Sequence, residues 1–343
     1  MARTLMHPPT KLSYDVASAL IVGQRDQQED AIIADFPLGG EMGFAVLADG
    51  MGGHAAGDIA SKIVVTEMFS ELKFQSGDPT TFEGNIPDIL RDAAATANAC
   101  LRHHTDHHPN AQGMGTTLVA PVLIRDKLYW VSIGDSPLFL YRDRTLSQLN
   151  EDHSLAGQID ALVEKGLMAS DMAENHPDRH CLTSVLSGSR IPRVDCPSTP
   201  VALCPGDVVL VASDGLQFLD DCEIAGLIQE TAHLSSAQIT RSLIRALDAL
   251  DDPHQDNVSI CVIKVAQAHT VATHPAPDLA TTEEAIRAIL PSEHAETEGT
   301  APPPQIAAQT DVQRGSRITV VARKTIDGLS MLCHVKRAEE KSA

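Results

Sequence analysis

The sequence predicts an α+β fold built on antiparallel sheet. Short apolar runs of strand length recur along the chain. They are separated by pairs of helices rather than by single helices, so regular β-α alternation is missing. Consecutive runs are also joined by hairpin-like turns. The chain has 343 residues, 43% hydrophobic and 21% charged, enough for a substantial core, and contains no internal repeat.

The first clear strand is MGFAVLA, from Met42 to Ala48, which runs into Gly-rich turn chemistry. DIASKIVVTEMFSELKF follows as a helix, with Ile59, Ile63, Val64 and Phe69 near helical spacing. PDILRDAAATANACLRHH predicts a second helix, with Pro87 near its first turn. From Gly115 to Arg142 the texture becomes strand, Arg-Asp-Lys turn, strand, Gly-Asp-Ser turn, strand. Residues 153–190 are more polar and locally helical, an excursion from the core. DVVLVAS (Asp207 to Ser213) and NVSICVIKV (Asn257 to Val265) are two further strands. Between them Ile239, Leu243, Leu247 and Leu250 form one helical stripe. Residues 1–265 are thus expected to form the folded domain. Residues 266–310, rich in Ala, Pro, Thr and His, read as a linker without a packed core. Residues 311–343 form a basic tail carrying Arg317, Arg323, Lys324, Lys336 and Arg337, expected to be partly folded.

Lys and Arg number 26 against 46 Asp and Glu, a formal net charge of −20. So acidic a surface repels nucleic acid and anionic lipid. The seven cysteines are scattered, with no C-x-x-C pair, and read as reduced thiols. The N-terminal residues lack the apolar core of a signal peptide, and no apolar segment reaches the length of a membrane span. The expectation is a cytoplasmic protein that binds neither nucleic acid nor membrane.

The acids supply the chemistry. Asp49 follows FAVLA, Asp135 follows YWVSIG, Asp214 follows VVLVAS, and Asp256 precedes NVSICVIKV. Each lies at the mouth of an apolar strand beside a small or turn-forming residue. Strands of one layered core can bring such acids together, where they would repel one another and gain protons unless cations neutralised them. No histidine or cysteine is comparably placed, and oxygen-only ligands select hard ions such as Mg²⁺ or Mn²⁺. Taken singly, each Asp is equally at home in an ordinary turn.

At this point the chain resembles the bacterial type 2C metal-dependent Ser/Thr protein phosphatases, the PPM family. The resemblance covers most of residues 14–265. It rests on GQRDQQED, VLADGMGGHAAGDIAS, GMGTTLV, VSIGDSPLFLYR, EDHSL, HPDRHCLTSVLSG, PGDVVLVASDGL and DNVSI, in that order. It implies a central β-sandwich flanked by helix pairs, with residues 153–190 as a flap. It also implies two Mn²⁺ or Mg²⁺ ions. Asp49 would bridge them, the Gly50 carbonyl would join the second, and Asp214 and Asp256 would complete the first. Glu29 and Asp30 would hold metal-bound waters, Arg25 would bind the substrate phosphate, and Asp135 with Asp214 resembles an additional metal site. The implied reaction is in-line attack of a metal-bridging hydroxide on phosphoserine or phosphothreonine in protein substrates, with a cognate Ser/Thr kinase as partner. Three positions depart from the family pattern: Pro137 replaces an arginine, Gln28 an asparagine, and His180 an asparagine. The general acid is unassigned, with His54 as one candidate and a turn or helix-start role as the other.

Two alternatives compete. Gly50 to Ala55 fits G-x-G-x-x-A, a dinucleotide-binding turn, but Asp49 would aim negative charge at the pyrophosphate. A catalytically inactive PPM-fold binding or regulatory module is the other. No G-x-S-x-G elbow supports a serine hydrolase. The tract HHTDHH places His103 with His107, and His104 with His108, at i, i+4 spacing, although Pro109 and Asn110 favour a solvated helix end. The basic tail reads either as an appendage or as a docking segment drawn by charge to an acidic surface.

Overall fold

A computed structural model describes residues 11–52, 56–77, 79–174, 176–268 and the short strand 318–320. Among the described residues, thirteen strands and six α-helices run in the following order. The strands β1 (Leu12–Ile21), β2 (Ala31–Asp35), β3 (Met42–Ala48) and β4 (Gly50–Met51) lead into helices α1 (Ala56–Gln75) and α2 (Pro79–His107). Strands β5 (Gly115–Thr116), β6 (Leu118–Ile124), β7 (Lys127–Ile133), β8 (Leu138–Arg142) and β9 (Thr145–Gln148) precede helices α3 (Ala156–Glu164) and α4 (Ser170–Glu174). Then come β10 (Val201–Ala202), β11 (Val208–Ala212), α5 (Asp221–Thr231), α6 (Ser236–Leu250), β12 (Val258–Gln267) and β13 (Ile318–Val320).

The strands form a six-stranded sheet ordered β13-β1-β12-β11-β8-β9, a five-stranded sheet ordered β10-β7-β6-β3-β2, and the small pair β4-β5. Every strand pairing among the described residues is antiparallel. The α+β reading therefore holds. The dinucleotide alternative does not, because its fold needs parallel strands joined through helices, and here α1 leads straight into α2.

Side-chain alternation explains the layering. In β3, Phe44, Val46 and Ala48 pack with α1 and α2, whereas Ala45 and Leu47 point to the opposite core. In β11, Val208, Leu210 and Ala212 pack with α5 and α6, whereas Val209 and Val211 join that same opposite core. The shared core, with Leu123, Trp130, Leu140 and Ile263, lies between the two sheets. Sheets buried on both faces need unbroken apolar runs, which is why these strands do not alternate with polar residues.

Three elements differ from expectation. The buried stripe of α1 is Ala60, Val64, Met68 and Leu72, while Ile59 is 37% exposed. Small Ala60 lets α1 approach the sheet, which a stripe read from bulky residues alone misses. Helix α2 starts at Pro79, so Pro87 lies inside it instead of in its first turn. Phe82, Ile86 and Leu90 are fully buried, and that burial outweighs the lost proline N–H. In α6, Ile239, Leu243 and Leu247 are buried as expected, but Leu250 is exposed at the helix end.

Residues 153–190 contain α3 and α4, in keeping with their locally helical texture. Strand β12 continues to Gln267, and β13 pairs with the end of β1, Ala19 opposite Val320 and Ile21 opposite Ile318. The linker from residue 269 and the rest of the basic tail lie outside the described residues, as does His54. No helix of the described residues is long and apolar enough to cross a membrane.

Candidate active site

The strand-end acids sit where the sequence places them. Asp49 directly follows β3, Asp135 lies two residues past β7, Asp214 opens a 3-10 turn after β11, and Asp256 precedes β12. Loop 22–30, between β1 and β2, brings Arg25, Glu29 and Asp30.

Asp49 is fixed through its backbone. Its N–H donates to Thr117 Oγ1 at 3.0 Å, and its carbonyl accepts from Thr116 Oγ1 at 2.8 Å and Thr117 N–H at 2.9 Å. Gly50 is obligatory for a steric reason. A Cβ there would lie 2.2 Å from the Gly57 carbonyl oxygen and 2.5 Å from that of Glu29. Only glycine lets the strand end, the first turn of α1 and the Glu29 loop meet this closely. Gly215 does the same beside Asp214, where a Cβ would lie 2.0 Å from the Asn257 carbonyl oxygen.

Asn257 ties the arginine loop to β12. Its Oδ1 accepts from Glu29 N–H at 2.7 Å, and its Nδ2 donates to the carbonyls of Val22 at 2.8 Å and Gln27 at 2.9 Å. Gln28, one of the departures, completes the loop. Its Nε2 donates to the Ile21 carbonyl, and its Oε1 accepts from Asp30 N–H, both at 2.9 Å. Pro137, which has no N–H, contributes its carbonyl instead, accepting from Ala212 N–H at 3.1 Å. The neighbouring Leu138 N–H donates to Asn150 Oδ1 at 2.7 Å. The Gly-Asp-Ser-Pro turn is thereby held by β11 and Asn150.

The carboxyl groups meet inside this frame. Asp49 is within hydrogen-bonding reach of both Asp30 and Asp214. Asp30 is buried; its Oδ2 accepts from Ser213 Oγ at 2.8 Å, and its Oδ1 has no hydrogen-bond partner. Burial, with the charge of Asp214 adding and Ser213 and Ser259 opposing, pushes its carboxyl up to about 7. Burial drives Asp49 well above the carboxylate range, reinforced by Asp30, Asp214 and Asp135. Asp135 is likewise pushed up to about 7 by burial and then by Asp214 and Asp152. Burial and Asp256 raise Asp214, while a hydrogen bond from Asp49 and the charges of His180 and Arg25 pull it down. His180, from the segment expected to be a flap, therefore bears on Asp214. Glu29 is raised by burial, against the pull of Arg25.

Asp256 accepts a bond from Arg25 Nη2 at 2.6 Å, which draws it toward the loop. Among the described residues no three Asp, Glu, His or Cys side chains already converge as a finished metal shell. The acids meet pairwise. Sequence reasoning missed the frame of Thr117, Ser213 and Asn257. Only the asparagine carried a local signal, its place beside Asp256 in DNVSI.

The chain is thus a layered fold, with helix pairs outside two antiparallel sheets and acids at its strand mouths. A model of the protein phosphatase 2C family matches residues 23–257, and the chain belongs to that family. The Ser/Thr protein phosphatase PstP of Mycobacterium tuberculosis is 30% identical over 252 residues, 73% of this chain and 45% of that protein. The chain thus spans less than half the length of that relative. The crystal structure of M. tuberculosis PstP/Ppp covers 74% of this chain and 98% of its own, with 30% identity and a TM-score of 0.60. The catalytic domain of PstP in complex with 2 manganese ions matches at 28% identity and a TM-score of 0.59, covering 74% of this chain and 99% of that one.

Proposed function

We propose that the chain is a Mn²⁺- or Mg²⁺-dependent phosphatase that hydrolyses phosphoserine and phosphothreonine in proteins. One observation carries this reading. Four acids from four separate loops bear on one another by charge, buried Asp30 and the partly buried Asp49, Asp135 and Asp214, without enough basic partners to neutralise them.

The donor set fits hard divalent cations. It is all oxygen, and the orphaned, buried Asp30 Oδ1 needs a positive or hydrogen-bonding partner. Asp49, the Gly50 carbonyl, Asp214 and Asp256 would hold two ions, with Glu29 and Asp30 supporting them through water. Asp135 with Asp214 would serve a third. Such cations supply Lewis acidity toward a phosphoester and make hydroxide accessible near neutral pH.

The chain's own residues do the positioning. Arg25 is the phosphate ligand, since its planar guanidinium matches phosphate oxygens and stays charged at any working pH. Its bond to Asp256 sets its place beside the acids, and Asn257 and Gln28 hold the loop that carries it. Catalysis belongs to residues 1–265, with 153–190 as the flap, 266–310 as a linker and 311–343 as an accessory tail. Cytoplasmic residence, in keeping with the scattered cysteines, and a cognate Ser/Thr kinase, implied by family resemblance, complete the reading. Phosphopeptide turnover during a Mn²⁺ titration tests it; cation-independent turnover, or none at any Mn²⁺ concentration, overturns it.

A further inference from the structure

His153, in the EDHSL stretch, has no part in the chemistry above, yet its side chain is fully buried. It grips Gly134, the residue before Asp135, by two bonds. The Gly134 N–H donates to His153 Nδ1 at 3.2 Å, and the His153 N–H donates to the Gly134 carbonyl at 3.0 Å. Gly134 itself has a φ of +110°, and a Cβ there would lie 2.6 Å from Thr117 Cγ2. Only glycine turns the chain this close to the threonine that fixes Asp49. On the other side of Asp135, Ser136 is held as well. Its Oγ lies 2.7 Å from Thr117 Oγ1, and its carbonyl accepts from Asn150 Nδ2 at 3.0 Å. Asp135 therefore sits between two fastened residues.

The bond from Gly134 sets the tautomer of the ring. A backbone N–H only donates, so Nδ1 carries the lone pair and the proton of the neutral imidazole sits on Nε2. Glu151 Oε2, which accepts from Arg193 Nη2 at 2.8 Å, lies 3.7 Å from Nε2, and Nε2 has no hydrogen-bond partner. Burial, and then the charge of Arg193, hold the ring below the usual imidazole range, against the pull of Glu151, Asp195 and Asp152. The backbone of His153 reaches the other way. Its carbonyl accepts from Thr183 N–H and Thr183 Oγ1, both at 2.7 Å. One residue thus joins the returning end of segment 153–190 to the Asp135 turn.

We propose that His153 is a positioning residue, whose Nδ1 holds the Gly134 amide and so fixes the Asp135 carboxyl at the acidic centre, where it serves a cation. This rests on the cation role given to Asp135 above. Asparagine and glutamine separate the two ring nitrogens. Asparagine places its side-chain oxygen close to the Nδ1 position and keeps an acceptor for Gly134. Glutamine reaches toward the Nε2 position and leaves that amide unpaired.

The test has three readouts, none of them turnover. Hydrogen exchange at the Gly134 amide is measured on the full chain in chelator. His153→Gln should speed it about fivefold or more, and His153→Asn should leave it within about twofold of wild type. In Mn²⁺ calorimetry, His153→Gln should weaken by roughly tenfold the binding that Asp135→Asn also weakens, and should add no further loss in the Asp135→Asn background. Glutamine and asparagine variants that are equally disruptive, or losses that add to that of Asp135→Asn, would mean a merely structural ring and overturn the proposal. In wild type, where no variant has to fold, ¹⁵N resonance of the ring should show a bare Nδ1 and a protonated Nε2; the opposite tautomer overturns it too. Undiminished Mn²⁺ binding in Asp135→Asn would take the cation from Asp135 and this proposal with it. The phosphatase reading is tested separately through Asp214→Asn, so the two failures are distinguishable.

Discussion

Asn257 offers the sharpest quantitative check on the frame that holds the acids. It is buried, and its amide makes three hydrogen bonds, to Glu29 N–H and to the carbonyls of Val22 and Gln27. At about 1 kcal/mol net for each neutral bond, Asn257→Ala should cost about 3 kcal/mol. For a domain of this size that lowers the melting temperature by roughly 6–12 °C. Asn257→Asp keeps the acceptor for Glu29 but sets a carboxylate oxygen against two carbonyls, and should cost at least as much. Both variants are to be melted in chelator, so that cation binding does not mask the loss, and compared with wild type by denaturant unfolding. Because the same bonds hold Arg25 and Glu29, the Mn²⁺ concentration giving half-maximal turnover should also rise. A loss under about 1 kcal/mol for Asn257→Ala, or an Asp variant as stable as wild type, would refute the claim that this amide fastens the loop.

Other outcomes follow from the same geometry. Gly215→Ala would place a Cβ 2.0 Å from the Asn257 carbonyl oxygen. It should destabilise the fold by about 1–3 kcal/mol and weaken Mn²⁺ binding, measured by melting and calorimetry. Arg25→Ala should raise KM for a phosphopeptide roughly tenfold or more, with little change in melting temperature because the side chain is largely exposed. In chelator, Asp30 and Asp135 hold protons up to about pH 7 in the folded state but ionise near 3.8 when unfolded. Folding then takes up protons between those values. Cation-free stability should therefore fall as pH rises from about 4 to 7, by up to about 1.4 kcal/mol per pH unit for each proton taken up. Melts across that range check the sign, and Mn²⁺ should stabilise the protein more at the alkaline end.

The strand-end acids were legible because an apolar run ending in Asp beside a small residue is a local pattern. Asp49, Asp135 and Asp214 carry it, and Asp256 mirrors it by standing just before an apolar run. Arg25, Glu29 and Asp30 have no such pattern and were reached only through the resemblance of GQRDQQED to a family. The supporting hydrogen bonds were not legible at all. Asp49 meets Thr117 across 68 positions, Ser213 meets Asp30 across 183, and Glu29 meets Asn257 across 228. Hydroxyl and amide side chains at those positions look like any loop residue until the fold brings them together. Strand β1, LSYDVASALI, mixes Ser and Asp into its half-buried apolar run, which blurs its signal. Helix α5 was readable in principle: Asp220 and Glu223 form a capping box at its start. The α1 stripe was misjudged because Ala60 carries little hydrophobic weight yet sets the helix against the sheet.

The central claim is that acids remote in sequence jointly grip hard cations which activate phosphoester hydrolysis. Its most direct test measures Mn²⁺ binding and phosphopeptide turnover together, in wild type and in Asp214→Asn. Wild type should be inactive in chelator and regain turnover in step with Mn²⁺ occupancy, while Asp214→Asn should bind Mn²⁺ weakly and turn over almost no substrate. Full turnover in chelator, or undiminished Mn²⁺ binding and activity in Asp214→Asn, would contradict the account.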